Sequence, residues 1–204
     1  MLFDDTYLTI AAPSEGIFKD RGSKFIGFAY PVESEEEIRQ RLQELRKEHF
    51  NARHHCYAYR LGADKLQYRI NDDGEPSGTA GRPIYNQLLS KDLSNIMVVV
   101  VRYFGGTLLG VPGLINAYKN ATLEAIAQAE IIEKIVYDLY RIDFGYLQMN
   151  EVMKVIKEKG LEVRSQQFDL QCSMEIAIRK KRITETVDSL SKTEGLTLSF
   201  LRTL

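Results

Sequence analysis

Asp72-Asp73-Gly74-Glu75-Pro76-Ser77-Gly78-Thr79-Ala80-Gly81-Arg82-Pro83 and, further on, Ile96-Met97-Val98-Val99-Val100-Val101-Arg102-Tyr103-Phe104-Gly105-Gly106 are the two segments from which this chain is best read. Ile96 to Val101 is apolar without alternation, the pattern of a strand covered on both faces, so it predicts the centre of a sheet. On either side of it lie loops crowded with glycine, which is used where the backbone turns left-handed or comes close to another group. Two such loops in one domain suggest a surface site lined by backbone.

Working outward, the spacing predicts a short helix from about Arg82 and Pro83 through Ile84, Leu88 and Leu89. A longer helix follows, with Pro112 in its first turn and Leu114, Ile115, Tyr118, Ala121, Ala125 and Ile126 on its apolar side. Upstream, Tyr7 to Lys19 and Lys24 to Val32 read as extended, and Ser34 with Glu37 forms a capping box ahead of Ile38, Leu42 and Leu45. In His54 to Leu61, residues His55, Tyr57, Tyr59 and Leu61 share one face, and Gln67 to Ile70 is expected to pair with this strand.

The second half reads as β-α-β-β-α-β. Its parts are a strand from Val136 to Phe144, a helix carrying Met149, Val152, Met153 and Ile156 and ended by Gly160, and an extended run from Leu161 to Leu170. Then come a strand with Cys172, Met174, Ile176 and Ile178 on its dry face, a helix with Ile183, Val187 and Leu190, and a strand from Leu196 to Phe200. The expected fold class is α+β, with domains at 1–131 and 132–204 and the boundary near Glu130 to Glu133.

Composition excludes several classes. The chain has 204 residues, 44% of them apolar and 27% charged, with a net charge of −1, so bulk electrostatics does not drive it onto nucleic acid. Any such contact needs a local basic patch. No stretch has membrane-spanning length, no secretion signal opens the chain, and Cys56 and Cys172 have no redox or metal spacing. A cytoplasmic protein without a membrane partner is the expectation.

Several residues carry chemistry worth weighing. Asp72, Asp73 and Glu75 can hold Mg²⁺ together with a phosphate. They can equally shape a turn, with Glu75 pairing a nearby arginine, and this is the simpler reading. Gly78, Thr79, Gly81 and Arg82 stand at a helix start, where backbone N–H groups and a guanidinium suit an anion, and the same segment reads equally well as a rigid structural turn. Arg102, Tyr103, Gly105 and Gly106 are candidates for the opposite wall, and Lys24, after Gly22-Ser23, for a further phosphate contact. Arg102 can instead be engaged by one of the three acids. The segment is neither a Walker loop nor a dinucleotide fingerprint, so no cofactor is expected. His49, His54 and His55 offer no metal set, and no nucleophile has a visible base, so no catalytic residue is assigned. Lys180-Lys181-Arg182 at a helix start reads most simply as a solvated surface, and the unfavourable dipole there is a weak hint of a partner.

The quoted segments, with Ser23-Lys24-Phe25-Ile26-Gly27 and His54-His55-Cys56-Tyr57-Ala58-Tyr59-Arg60, strongly resemble the IMPACT family, formerly uncharacterised protein family 0029. The likeness covers most of the first domain. It implies a first domain of the ribosomal protein S5 domain 2 type and a ferredoxin-like second domain, as in bacterial members. Eukaryotic members regulate translation with help from an additional N-terminal domain that this chain lacks. The expectation is a translation-associated factor binding RNA or the ribosome through its glycine-rich loops. The alternatives are a binder of a small phosphorylated metabolite or nucleotide, and a protein-binding module. Where the family commonly has two glycines and a later arginine, this chain has Pro112-Gly113 and Asn116, so the Leu109 to Gly113 turn is stiffer and less basic.

Overall fold

A computed structural model describes residues 5–169 and 171–204. Its elements are β1 (Thr6–Ile10), β2 (Ser14–Asp20), β3 (Ser23–Pro31), α1 (Glu35–Glu48), β4 (His54–Leu61), β5 (Gln67–Asn71), α2 (Gly81–Ser90), β6 (Ile96–Tyr103), α3 (Gly110–Ala127) and β7 (Ile131–Ile135), then β8 (Tyr137–Gly145), α4 (Met149–Lys159), β9 (Glu162–Phe168), β10 (Gln171–Arg179), α5 (Ile183–Leu190) and β11 (Thr197–Thr203). Chain contacts group Tyr7–Lys134 as one compact unit. Ile135–Leu204 form the other, together with Asp5 and Thr6.

The first unit is built on an antiparallel sheet of order β2-β3-β6-β4-β5, with β6 in the middle as its unalternated apolar run requires. Val98 and Val100 face α2 and α3, packing with Phe25, Cys56, Ile84, Leu88, Ala117 and Tyr118. Met97, Val99 and Val101 face α1, packing with Ile38, Leu45, Tyr57 and Tyr59. A helix on each face thus explains why an antiparallel strand lacks a polar side. α3 lies almost on the backbone of β3: a Cβ on Gly27 would stand 2.4 Å from the Ala121 carbonyl oxygen. Only glycine allows that approach. α1 begins as expected, with Ser34 Oγ accepting the Glu37 N–H (3.3 Å). The return bond from Glu37 comes from the Glu33 N–H (2.9 Å), one residue earlier than in the standard box.

Two local readings need correction. Tyr7 to Lys19 is not one extended piece: β1 leaves the main sheet to pair with β7, and β2 joins it as an edge. The boundary expected near Glu130 to Glu133 falls where β7 begins at Ile131, and this stretch is paired strand.

In the second unit, β8 to β11 form a four-stranded antiparallel sheet of order β11-β8-β10-β9, with α4 and α5 closing one face. Cys172, Met174, Ile176 and Ile178 are all buried, as their alternation predicts, and Gly160 caps α4 with φ 60°. Met153 and Phe200 remain exposed although they sit on apolar patterns. The expected Leu161–Leu170 run is strand through Phe168, and Leu170 lies outside the described residues. The basic run Lys180–Arg182 forms a 3₁₀ turn ahead of α5, and Lys181 finds an acid, Asp5, at 3.9 Å. Asp5 also pairs with Arg179.

Candidate functional site

Strand pairing brings the site together. Arg102, the last residue but one of β6, stands opposite Phe25 on β3 and His54 on β4. Its guanidinium carbon lies 5.4 Å from the Phe25 ring centre and 5.5 Å from that of Phe104, between two aromatic rings. Arg102 is only 6% exposed and Glu75 9%. Arg102 Nη1 donates to Glu75 Oε1 at 2.6 Å, and the Tyr118 hydroxyl of α3 donates to the same oxygen at 2.7 Å. The Cys56 thiol completes the chain, with the Asp72 carbonyl oxygen at 3.0 Å and the Tyr118 oxygen at 3.3 Å. Burial pushes both the Cys56 thiol and the Tyr118 phenol far up from their ordinary values. Both therefore stay protonated as donors, and Cys56 has no nucleophilic thiolate to offer.

The glycine-rich loop has its own internal anion. One Asp72 carboxylate oxygen accepts the N–H groups of Ala80 (3.0 Å) and Gly81 (2.8 Å) at the start of α2, and the other accepts that of Gly78 (2.9 Å). A carboxylate is well placed there, since orphan donors and the helix dipole both favour negative charge. Asp73 turns elsewhere, accepting from Arg46 (2.8 Å) and from the His55 backbone (2.7 Å). Thr79 is buried and its hydroxyl donates to the Pro76 carbonyl (2.7 Å). Asp72, Asp73 and Glu75 thus face three separate sets of donors. Among the described residues no cluster of three or more His, Cys, Asp or Glu is arranged around a metal position.

Beside the Glu75–Arg102 pair opens a cavity of about 490 Å³. Arg53, His54, Glu75 and Arg102 line it, and Phe104, Leu108, Val111 and Leu114 make its apolar part. Phe104 is 53% exposed and Leu108 82%. His54 Nδ1 lies 2.9 Å from the Asp73 carbonyl oxygen. A carbonyl only accepts, so Nδ1 carries the proton and Nε2 of the neutral ring is an acceptor. Glu75 Oε2 takes part in none of the bonds that hold Oε1, and Arg102 Nε is buried without a partner.

The residues expected to hold phosphate are therefore divided. Arg102 sits in this cavity. Arg82 lies with Gly78 and Lys119 along a smaller groove of about 190 Å³. Lys24 stands opposite Tyr103 on the α1-facing side of the sheet, where the Tyr103 hydroxyl meets His49 Nδ1 at 2.8 Å. Gly105 presses on the Gly22–Ser23 turn: its N–H donates to Ser23 Oγ (3.1 Å), and a Cβ on it would fall 1.9 Å from the Gly22 carbonyl carbon. Its lack of a side chain serves packing between loops. The position of Gly106 is open. Sequence reasoning missed the cavity's apolar half. The signal was present in Leu108, Leu109 and Val111, apolar residues set between glycines in a segment read only for its backbone.

A two-unit α+β protein with several antiparallel sheets, carrying a half-apolar cavity over a buried ion pair, is the class this chain defines. Residues 21–126 match the Impact N-terminal domain family. An IMPACT family member of Haemophilus influenzae is 38% identical over 163 residues, 79% of each chain. YigZ of Escherichia coli is 31% identical over 183 residues, 89% of this chain and 90% of its own. YvyE of Bacillus subtilis is 30% identical over 176 residues, covering 86% and 81%. A crystal structure of a hypothetical protein superposes with TM-score 0.74 at 29% identity, covering 97% of this chain and 98% of that one. The chain belongs to the IMPACT family, in its bacterial form.

Proposed function

We propose that this chain is a cytoplasmic, translation-associated factor that binds RNA or the ribosome. The observation that carries this reading is the set of exposed groups on the cavity wall and the smaller groove. Phe104 and Arg53 are exposed on the cavity wall and Arg82 and Lys119 along the smaller groove, and among the described residues no carboxylate is paired to the three cations. An aromatic face beside free cations is the combination that takes single-stranded nucleic acid, with the cations on phosphates and the ring on a base. The site differs from the one expected from sequence. The N–H groups of Gly78 and Gly81 already hold Asp72, and Arg102 already holds Glu75, so phosphate contact falls to exposed cations. The family resemblance supports the same reading, as it implies a role in translation. We also infer that the first unit is of the ribosomal protein S5 domain 2 type and the second ferredoxin-like. The β-α-β-β-α-β order of the second unit and its β11-β8-β10-β9 sheet support this.

Co-sedimentation with ribosomes tests the proposal. Replacing Arg53, Arg82 and Lys119 together by alanine is expected to weaken binding and to flatten its logarithmic salt dependence by roughly 2, at about 0.7 per phosphate on a single strand. Unchanged binding with an unchanged slope overturns it. A second reading, a protein-docking module, is favoured by the exposure of Leu108 and Val111 on the cavity wall. Binding that survives nuclease treatment selects that reading.

A further inference from the structure

The cavity offers a specific set of polar atoms, and that set names an occupant. We propose that it receives one unstacked guanine base of a bound RNA strand, an inference that rests on the RNA-binding reading above. In the neutral ring His54 Nε2 is an acceptor, because Nδ1 donates to the Asp73 carbonyl. Glu75 Oε2 is a second acceptor, left over because Oε1 takes both Arg102 and Tyr118. Arg102 supplies the donor side, its ion pair with Glu75 engaging only Nη1. The site thus presents two acceptors and one donor group. Enzymes and binding proteins that take a base out of its stack read it on its Watson–Crick edge. Guanine has two donors and one acceptor there: the N2 amino group, N1–H and O6. Adenine offers one donor and one acceptor, cytosine one donor and two acceptors, uracil one donor between two acceptors. Guanine alone complements the set without leaving a group unmatched.

The rest of the cavity suits the same occupant. A base is a flat apolar plate with a polar rim, and Phe104, Leu108 and Val111 supply an aromatic face and aliphatic walls beside the polar atoms. A base entering here covers apolar surface that is otherwise exposed, and stacking on an aromatic side chain is a common anchor for unpaired RNA. Arg53, exposed and also lining the cavity, is placed for the phosphate of the same nucleotide. The buried pair then has a role beyond packing. Tyr118 and Arg102 hold the Glu75 carboxylate in one orientation, so its free oxygen is fixed before the base arrives.

Fluorescence anisotropy with pentaribonucleotides tests this on the unaltered protein. UUGUU is expected to bind about ten-fold tighter than UUAUU or UUUUU, since matched polar contacts to a base discriminate by that order. Inosine in place of guanosine, lacking only the N2 amino group, is expected to fall between. Phe104→Ala, a change at an exposed side chain, is expected to remove the preference and leave the salt-dependent part of binding. Equal affinity for all pentamers overturns the guanine assignment while the RNA-binding reading stands. Absence of binding to every pentamer and to ribosomes overturns both. Guanosine monophosphate competing as tightly as UUGUU would show a free nucleotide as the occupant and overturn the RNA-borne base.

Discussion

The two faces of the five-stranded sheet share their strands and differ in almost everything else. On the α1 side, Tyr57, Tyr59, Met97, Val99 and Val101 meet Ile38 and Leu45 in a closed, mostly apolar layer, with His55 sealed beside them and His49 against Tyr103. On the other side, one residue along on the same strands, Cys56 and Arg102 join Tyr118 and Glu75 in a polar chain that runs to an open cavity. The alternation of a strand is enough to produce this: one register, two chemistries. The closed face supplies rigidity, and the open face presents the site.

The sharpest way to break this comparison is to remove one partner of the buried pair. Glu75→Ala leaves the Arg102 charge uncompensated and is expected to cost about 3–5 kcal/mol in urea unfolding. A double change with Arg102→Ala should cost clearly less than the sum of the single changes. Additive losses would mean the two groups do not act as a pair. Next comes Asp72→Ala, which strips the acceptor from the N–H groups of Gly78, Ala80 and Gly81. About 2–3 kcal/mol is expected, with faster amide exchange confined to the loop and the first turn of α2. Uniform exchange would count against this local role.

The closed face has its own signature. Burial holds the His55 pKa below its ordinary value, with Arg46 pressing the same way and Asp73 opposing. The unfolded chain therefore takes up this proton first. Stability is complete above the unfolded value of roughly 6.5, declines as pH falls beneath it, and levels off once the folded value is passed. His55→Leu should remove that acid limb from the thermal midpoint. Its persistence would assign the limb to another group. The smallest effect belongs to the cavity wall, where Phe104→Ala and Leu108→Ala should change stability by no more than about 0.5 kcal/mol. A larger loss would make these side chains structural, and the contrast between a closed and an open face would weaken.

The sequence made much of the fold legible because its strongest signals are local. Unalternated valines placed β6 at the centre, period-2 burial placed β10, and Ser34 marked the start of α1. The pairing of β1 with β7 was not legible, since it joins residues far apart and neither strand has a strong apolar pattern. The site was half legible. Both quoted segments supply residues to the cavity, Glu75 from one and Arg102 and Phe104 from the other, and Arg102 was weighed as an ion-pair member. Which acid it meets depends on how the loop folds back, and no spacing rule reports that. The glycine loop was read as a receptacle awaiting an anion because the filling carboxylate, Asp72, lies eight residues before Ala80 and nine before Gly81. A side chain that returns to cap its own loop resembles, in one dimension, a free acid.

Cys56 and Cys172 are both fully buried and unbridged, and each belongs to a different compact unit. Each thiol is out of reach of a modifying reagent until its own surroundings open. The natural chain thus carries two internal stopwatches, one for each unit. The rates at which they are alkylated under native conditions would tell whether the units come apart together or one ahead of the other, with no label or substitution introduced.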